Sequence, residues 1–539
     1  MNRTRVTLAV AGTVAAAVLL SACSGSGSNS ATFDPKVTTE VAAATTAVPA
    51  LTWNLPAGEP TTLDPALSAL ESNSTVVSNL CESLQTQTAS GKVQPGLANS
   101  IDQTDPTTYV IHLRSGVKFW DGTVMTAEDV VYSIQRVLDP KTGSSWAGWA
   151  DAGTTATVTG ADEVTVKTNT PNALVRNYFS TPAFAVVQKA YAEKAGAKFG
   201  TATGGVMCTG PYKVQTWSSG SNIVLVRNDA WWNNSHQPLV DKATFTFTTD
   251  ASAQVAALRS GSVDGQFSVP VSGFSSLSAQ GTMLFNDSYA MEFLAVINLK
   301  GPLVDVKTRE ALQKSVDYAG IARSIYKGTA DPLRFIVGPA TWGYGKEVYQ
   351  AAYDKLPAAK RDLDAAKSAL KASSYTGQTI TIAYAVGNDE ETKMATVIAD
   401  SANGIGLKVS LKPLQPADYV ALYSSPDARK GIDAFVSAGY LDFPEPVQYL
   451  QYWTAGSYYN FAEYANAKYD AAIQAALAQF DDTQRAQDAA GAQAVIAADY
   501  VNIPLVSQYV NVYYSKKLAG LVPAPSYLYA SWLTSLGGK

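Results

Sequence analysis

Apolar and polar positions along this chain alternate with two different periods, one helical and one extended. LTWNL (residues 51–55) is an apolar run followed by the turn-rich EPTTLDPAL. Val76, Val77, Leu80 and Leu84 fall on one face at helical spacing and predict a helix over 75–84. TYVIHLR (108–114) alternates as a strand, and GVKFWDG then turns the chain at Trp120, Asp121 and Gly122, where glycine relieves steric strain. The following helix has a sharp predicted start. Thr126 is its N-cap, and Glu128 and Asp129 sit in the first turn, where carboxylates favour the positive helix end. Val130, Val131, Ile134, Val137 and Leu138 continue at helical spacing until Pro140.

Short strands are predicted at 157–158, 164–167, 212–217, 222–228 and 242–248, with a helix over 251–259 stopping at Ser260-Gly261. FLAVINL (293–299) reads as a strand, with a helix after it over 306–319. Next come a helix over 362–371, the strand TITIAYAV, a helix over 391–403, and the strands LKVSLKPL and GIDAFVSAGY. Two alanine-rich helices (467–480 and 483–500) precede the strand IPLVSQYVNVYYS (503–515). Strand and helix alternation in this half predicts an α/β lobe with mainly parallel strands.

The N-terminus adds an address. Arg3 and Arg5 precede an apolar run over 6–20 that ends in Leu20-Ser21-Ala22-Cys23. That run falls short of the roughly 20 residues of a permanent membrane span, and its order of charge, apolar run and small residues is that of a secretory signal. The small residues before Cys23 resemble a bacterial lipobox, in which the cysteine is lipidated and becomes the first mature residue. On that resemblance residues 1–22 are a lipoprotein signal peptide, and the exported protein is anchored to the outer face of the cell membrane by lipid on Cys23. An ordinary signal peptide with an incidental cysteine is the alternative. Residues 23–50, small, polar and Ala/Thr-rich, are expected to form a flexible tether. With Cys23 set aside, two of the 3 cysteines remain, Cys81 and Cys208. In an oxidising compartment they read as a disulfide joining distant segments of one lobe, with two independent buried thiols as the alternative.

Charge and composition narrow the function. A net charge of −5 gives no support for nucleic-acid binding. A body of 46% hydrophobic and 16% charged residues is that of an ordinary globular protein, and roughly 490 residues beyond the tether imply more than one domain. The chain holds only 2 histidines, His112 in a predicted strand and His236 in a Trp/Asn-rich loop, and both read as structural. No CxxC, HExxH, Walker A or G-x-S-x-G pattern is present, so no cofactor or metal is called for. Asp389, Glu390 and Glu391 read as an exposed helix start. Asp442 and Glu445 stand out in AGYLDFPEPVQYL, two acids among prolines and aromatics, and carboxylate-only glycosidases exist.

Seven stretches, in order, carry a resemblance over almost the whole mature chain: EPTTLDPAL; LCESLQTQTASGKVQPGLANS; YVIHLRSGVKFWDGTVMTAEDVVYSIQRVLDP; CTGPYKVQTWSSGSNIVLVRNDAWW; ALRSGSVD; TREALQKSVDYAGIARSIYKG; and ANGIGLKVSL. Together they resemble the extracytoplasmic solute-binding lipoproteins of ABC importers, specifically the oligopeptide- and dipeptide-binding family (family 5). The resemblance implies an α/β, two-lobe, periplasmic-binding-protein-like fold of the large three-subdomain type with a hinge between the lobes. Lobe I would span 51–298, with an extra subdomain at about 90–210. Lobe II would span 299–512, and 513–539 would return to lobe I. The crossings would fall near 298–302 and 508–514.

It implies no catalysis. The protein would capture a solute, most simply an oligopeptide, as a monomer, and deliver it to an ABC permease driven by a separate ATPase, with no nucleic acid involved. In the family an aspartate reads the peptide's α-ammonium from a Gly-aromatic-x-Asp stretch, which here gives Asp442 that role beside Gly439 and Tyr440. Ser72, Asn73 and Ser74, expected in the loop after TLDPAL, would offer backbone to the ligand, and Trp146 and Trp149 would line the mouth. Glu445 would hold the turn. Dipeptide-specific relatives tend to carry a basic residue after the strand matching TITIAYAV, whereas this chain carries Asp389, Glu390 and Glu391 there. That departure argues against a dipeptide specialist and keeps a sugar or metal chelate open. A surface-anchored glycoside hydrolase and a sensory or adhesive lipoprotein are the rivals from other classes.

Overall fold

Alternation in the first apolar run places Trp53 wholly inside, on the strand Leu51–Asn54. Its indole packs 5.2 Å from the Phe267 ring and 4.5 Å from Trp532. Gly265, on the neighbouring strand, is required here, because a Cβ would fall 2.2 Å from the Trp53 ring. The computed structural model describes residues 33 and 35–539. The expectations for the signal peptide and for Cys23 lie outside the described residues.

Two large sheets carry the fold. The first has seven strands in the order Gly281–Asn286, Val510–Ser515, Gly265–Phe267, Leu51–Asn54, Lys242–Thr246, Asn222–Arg227, Tyr212–Ser218. The second has six, in the order Ala330–Pro332, Asn502–Gln508, Ala290–Val296, Ala434–Tyr440, Thr379–Ala385, Lys408–Leu414. A smaller sheet of Ala98–Asp105, Thr108–Leu113, Glu163–Lys167 and Thr155–Gly160 packs with the helix Ala127–Leu138. That helix begins as its sequence predicts. Thr126 and Asp129 form a reciprocal capping box, each side chain bonding the other's backbone N–H.

The second sheet is mixed rather than mainly parallel, because only the strand Thr379–Ala385 makes parallel pairs, one on each side. Its other three pairings are antiparallel, each between strands far apart in the sequence, where βαβ crossovers to parallel neighbours were expected. Leu294, Val296, Ala434 and Val436 pack under the helices Val306–Ser315 and Asp389–Asn403, while Phe293 and Phe435 face the opposite side. Pro504 is accommodated inside this sheet because it stands opposite Phe293 where the register shifts.

The chain passes between the large sheets twice. Strand Gly281–Asn286 belongs to the first and Ala290–Val296 to the second, so the first passage is at residues 287–289, not near 298–302. FLAVINL is not an exit strand: its first residues form an inner strand of the second sheet. IPLVSQYVNVYYS, expected as one strand, is two. It breaks at Tyr509, whose backbone N–H makes a last bond to Thr329 O just past the Ala330–Gln508 pair, and the halves serve different sheets.

Two further expectations change. Residues 75–84 are not a single helix: the helix is Glu71–Val77, after which the chain pairs with 208–212 through Gly210 N–H to Leu80 O and Tyr212 N–H to Asn79 O. Ser72, Asn73 and Ser74 are therefore helical, not loop residues. The later part of the expected tether is bound to the body, with Thr38 N–H on Phe285 O at 2.7 Å, Val48 N–H on Leu239 O at 2.8 Å and Thr46 bridged to Gly538. Backbone pairing supplies most of this order, with the Thr46 hydroxyl on Lys539 O and Val48 packed on the core, so the small side chains did not announce it. Cys81 and Cys208 are disulfide-bonded, with Cα atoms 4.9 Å apart.

Candidate functional site

The stretch that follows strand Ala434–Tyr440 is built by its own side chains. Leu441 is buried and donates its N–H to Tyr289 O, and the Asp442 N–H goes to Gln448 Oε1 at 3.0 Å. Glu445 caps the short helix Pro446–Leu450, accepting from Val447 N–H, with Pro446 at the first helical position, where a missing N–H costs nothing. The Glu445 carboxylate is 1% exposed and pairs with Arg485, also 1% exposed, at 3.2 Å. The Tyr344 hydroxyl donates to Glu445, and the Arg485 guanidinium lies 3.9 Å from the Tyr344 ring centroid. Burial pushes the Glu445 carboxyl upward and Arg485 draws it back. This acid is committed to holding the turn.

Asp442 differs in having no cation. Among the described residues no Lys, Arg or His forms an ion pair with it. Tyr529 donates its hydroxyl to Oδ1 at 2.5 Å, and the Gln448 amide donates to Oδ2. Gln87 reaches its backbone carbonyl at 3.2 Å, from the two-stranded ribbon Gln85–Gln87/Val93–Pro95. Burial holds the Asp442 carboxyl above the usual range, opposed by the hydrogen bonds from Tyr529, Gln448 and Tyr440. Tyr440 keeps 43% of its surface, yet its hydroxyl lies 3.2 Å from that of Tyr529 and its ionisation is pushed up first by burial and then by the Asp442 charge. A tyrosine open to solvent on one side and surrounded by protein on the others marks the wall of a cleft.

The other predicted residues divide. Trp146 is brought to this point: its ring stands edge-on 5.8 Å from Tyr529, and its buried Nε1–H has no partner in the protein. Gly439 has a packing role, because a Cβ there would fall 2.0 Å from the Tyr449 hydroxyl. Asn73 and Ser74 are engaged locally, with Thr61 and with the Ser68 carbonyl, while the buried Ser72 hydroxyl has no partner. Trp149 packs on Phe184 at 4.6 Å. His112 lies on the outer sheet between Asp102 and Glu163. An open hollow of about 620 Å³ beside Arg114 and Trp232 is bordered by none of these groups, while one of about 320 Å³ flanks the first passage between Asp287 and Tyr353.

Two more carboxyls were misread or missed. Glu391, expected at an exposed helix start, is 8% exposed and accepts the Ala385 N–H at 2.7 Å, and burial pushes it up to about 7. Only Asp389 of that group is exposed, 3.8 Å from the Lys393 ammonium. Glu292, on the strand Ala290–Val296, is buried and held well above the usual carboxylate range by desolvation, with Glu391 and Glu390 adding to the effect. Its register partner Ala438 is exposed, which sets Glu292 on the face of the sheet that opens beside Tyr440. Neither has a basic partner among the described residues. Gln448 was legible in principle, six residues after Asp442 at a helix start. Tyr529 was not, since nothing local marks YLYASW as facing residue 442.

Two α/β lobes, each on its own sheet, joined by two short passages and meeting at a half-buried carboxyl, form the two-lobe architecture of extracytoplasmic binding proteins. The profile described as bacterial extracellular solute-binding proteins, family 5 Middle, matches residues 92–461. The chain belongs to this family, solute-binding proteins of ABC importers, and is a binding protein rather than an enzyme, which sets aside the glycoside hydrolase. It is 26% identical over 486 residues to the periplasmic oligopeptide-binding protein OppA of Salmonella typhimurium, covering 84% of this chain and 88% of that one. The substrate-binding protein CtaP of Listeria monocytogenes shares the fold at a TM-score of 0.80 and 21% identity, over 91% of this chain and 99% of that one. Haemophilus influenzae OppA, solved with the peptide RPPGFSPFR, does so at a TM-score of 0.75 and 22% identity, over 91% and 98%. Among the described residues no helix is long and apolar enough to cross a membrane.

Proposed function

We propose that the protein captures extracellular oligopeptides by their free α-ammonium at Asp442 and passes them to an ABC permease powered by a separate ATPase. The observation that carries this reading is a half-buried carboxylate with no cation of its own among the described residues, just past the end of an inner strand and between the two lobes. Such a group is a standing demand for an external positive charge. A charge-assisted hydrogen bond there contributes on the order of 1.5–3 kcal/mol. Extended peptide backbone pairs readily with exposed strand edges, which suits a cleft lined by strand ends. The names of the relatives, oligopeptide-binding proteins, support the ligand class.

The finer features of the reading follow. Residues 287–289 and 509 are the hinge, and Tyr440 and Trp146 line the ligand, with Ser72, Asn73 and Ser74 presenting helix backbone near the lobe I wall. The exported protein acts as a monomer, held to the membrane by lipid on Cys23. Glu292 and Glu391 stand where a basic clamp would be needed for a dipeptide's carboxylate, which favours longer peptides. Titration calorimetry of wild type and Asp442→Ala with a free-amine tetrapeptide and its N-acetyl form tests the central point. Asp442→Ala weakens the free amine by about 2–5 kcal/mol. Equal affinities of the two proteins for that peptide refute it.

A further inference from the structure

Arg114 follows the strand Thr108–Leu113 and is held from several sides. Its backbone N–H bonds Leu97 O at 2.9 Å, its Nε donates to Gly96 O at 3.2 Å, and its guanidinium lies 4.5 Å from the Trp232 ring centroid. The Trp232 indole is fixed in turn, donating to Glu82 at 2.9 Å, and Trp231 and Thr209 donate to the same carboxylate at 3.1 and 2.8 Å. Glu82 and Thr209 directly follow Cys81 and Cys208, so the disulfide braces this support. Glu82 acts on Arg114 only as a charge beyond pairing distance. Both η nitrogens of Arg114 are left with no hydrogen bond or ion pair among the described residues. Every other arginine held by its side chain there spends at least one η nitrogen on a carbonyl or carboxylate, as Arg136 does on Asp64 and Arg309 on Leu303 O. Arg114 stands on the wall of the open hollow of about 620 Å³. Lys118 lines the same hollow without an ion pair among the described residues, and the one acid on its wall, Asp229, is taken by Arg227 at 2.8 Å.

We propose that this hollow is a second ligand site, separate from the Asp442 cleft, and that it takes a phosphate ester on a hydroxylated carbon chain, of the glycerol phosphate kind. An oriented guanidinium presents its η edge as a fork that fits oxyanions, and an ammonium adds a point charge. Because Arg114 is already immobilised, binding costs it little side-chain freedom. A phosphate spreads its oxygens tetrahedrally, so the Arg114 fork and Lys118, from separate positions on the wall, each find an oxygen; a planar carboxylate would be used up by the fork. A hollow of this size suits a small molecule rather than a single ion. The rest of its wall supplies the Asn234 amide and the Ser235 hydroxyl, partners for alcohol groups rather than for an apolar chain. A free glycerol phosphate and the head group of an anionic phospholipid share this chemistry. Neither Asp442 nor any group placed around it lines the hollow, so the inference stands apart from the reading of the cleft.

Two probes test it on the full chain: glycerol phosphate in titration calorimetry, and vesicles of phosphatidylglycerol mixed with phosphatidylcholine in co-sedimentation, against phosphatidylcholine alone. Wild type is compared with Arg114→Gln, Arg114→Lys, Lys118→Gln and Arg259→Gln, the last an exposed arginine of the same lobe outside the hollow. Arg114→Gln is expected to lose roughly tenfold to a hundredfold affinity. Arg114→Lys shares most of that loss, because the fork is gone although the charge stays. Lys118→Gln loses less, and Arg259→Gln nothing. Thermal melting reports whether each variant is folded, and the exposed Lys118 keeps the test open should Arg114→Gln not fold. Binding of free glycerol phosphate supports a soluble ligand. Binding confined to phosphatidylglycerol vesicles and lost in the Arg114 variants supports a lipid head group. The inference is overturned if neither probe binds, if Arg259→Gln weakens binding as much as Lys118→Gln, or if inorganic phosphate binds as tightly as the ester.

Discussion

Replacing Glu445 by alanine should destabilise the protein severely while leaving its ligand chemistry in place. The carboxylate and its partner Arg485 are each 1% exposed. Removing Glu445 leaves the buried Arg485 charge with only the half-exposed Asp482 at 2.8 Å, and breaking such a buried pair costs about 3–5 kcal/mol. The helix cap on Val447 N–H is lost as well, adding about 1 kcal/mol. Unfolding entropy near 2.1 cal/mol/K per residue makes one kcal/mol worth about 1 °C for a chain of this size, so a melting temperature lower by about 4–6 °C is expected. Calorimetric melting of Glu445→Ala and of the double variant Glu445→Met with Arg485→Met separates the causes. If stranded charge is the problem, the double variant recovers most of the loss, because apolar residues of similar volume fill such a site at little cost. A single variant that melts within 1 °C of wild type, or a double variant no better than the single, would refute the argument.

The other expectations are more compact. Glu391 carries a pH signature: its carboxyl titrates at about 7 in the fold against 4.5 unfolded. The acid's folded pKa is raised, so the unfolded chain gives up its proton first. Stability falls as pH rises from about 4.5 to about 7, by about 3 kcal/mol, and is level on either side. Glu391→Gln removes that portion of the slope, and melting curves at pH 4.5–7.5 that run parallel for the two proteins would rule this out. Replacing Cys81 and Cys208 together by alanine releases a constraint across 127 residues, an expected loss of about 4–5 kcal/mol in the chain-entropy view, read as a lower denaturant midpoint.

The sequence was most informative where one segment contains its own explanation. The helix Ala127–Leu138 announces its cap, first-turn acids and apolar stripe within sixteen letters, and the structure has all three. Glu445 could be assigned to a turn because the prolines beside it already require one. Features settled by distant partners were less accessible. Nothing within FLAVINL says that it is an inner strand of the second lobe, since that depends on pairing with 434–440 and 502–506. The break at Tyr509 rests on a carbonyl at Thr329, and the order of residues 37–48 rests on strand ends hundreds of residues away. Asp442 was found through a motif, but its phenol partner Tyr529 lies 87 residues on, in a segment with no mark of its own. Glu391 looked exposed because acids usually are, and only the packed end of Thr379–Ala385 shows otherwise.

The order of strands in the first sheet bears on how the molecule is made. Gly281–Asn286 lies at the edge of the sheet, where its one strand partner is Val510–Ser515, which also supplies the outer partner of Gly265–Phe267, while its far side meets only a single bridge from Val37 to Phe285. A chain emerging N-terminus first therefore carries an unfinished sheet while more than two hundred residues of the second lobe are synthesised between these strands. During that interval two strand edges are open to mispairing, the circumstance in which large proteins aggregate. The first sheet therefore stays incomplete until nearly the last residues are made, and this topology requires its open edges to be kept from mispairing until then.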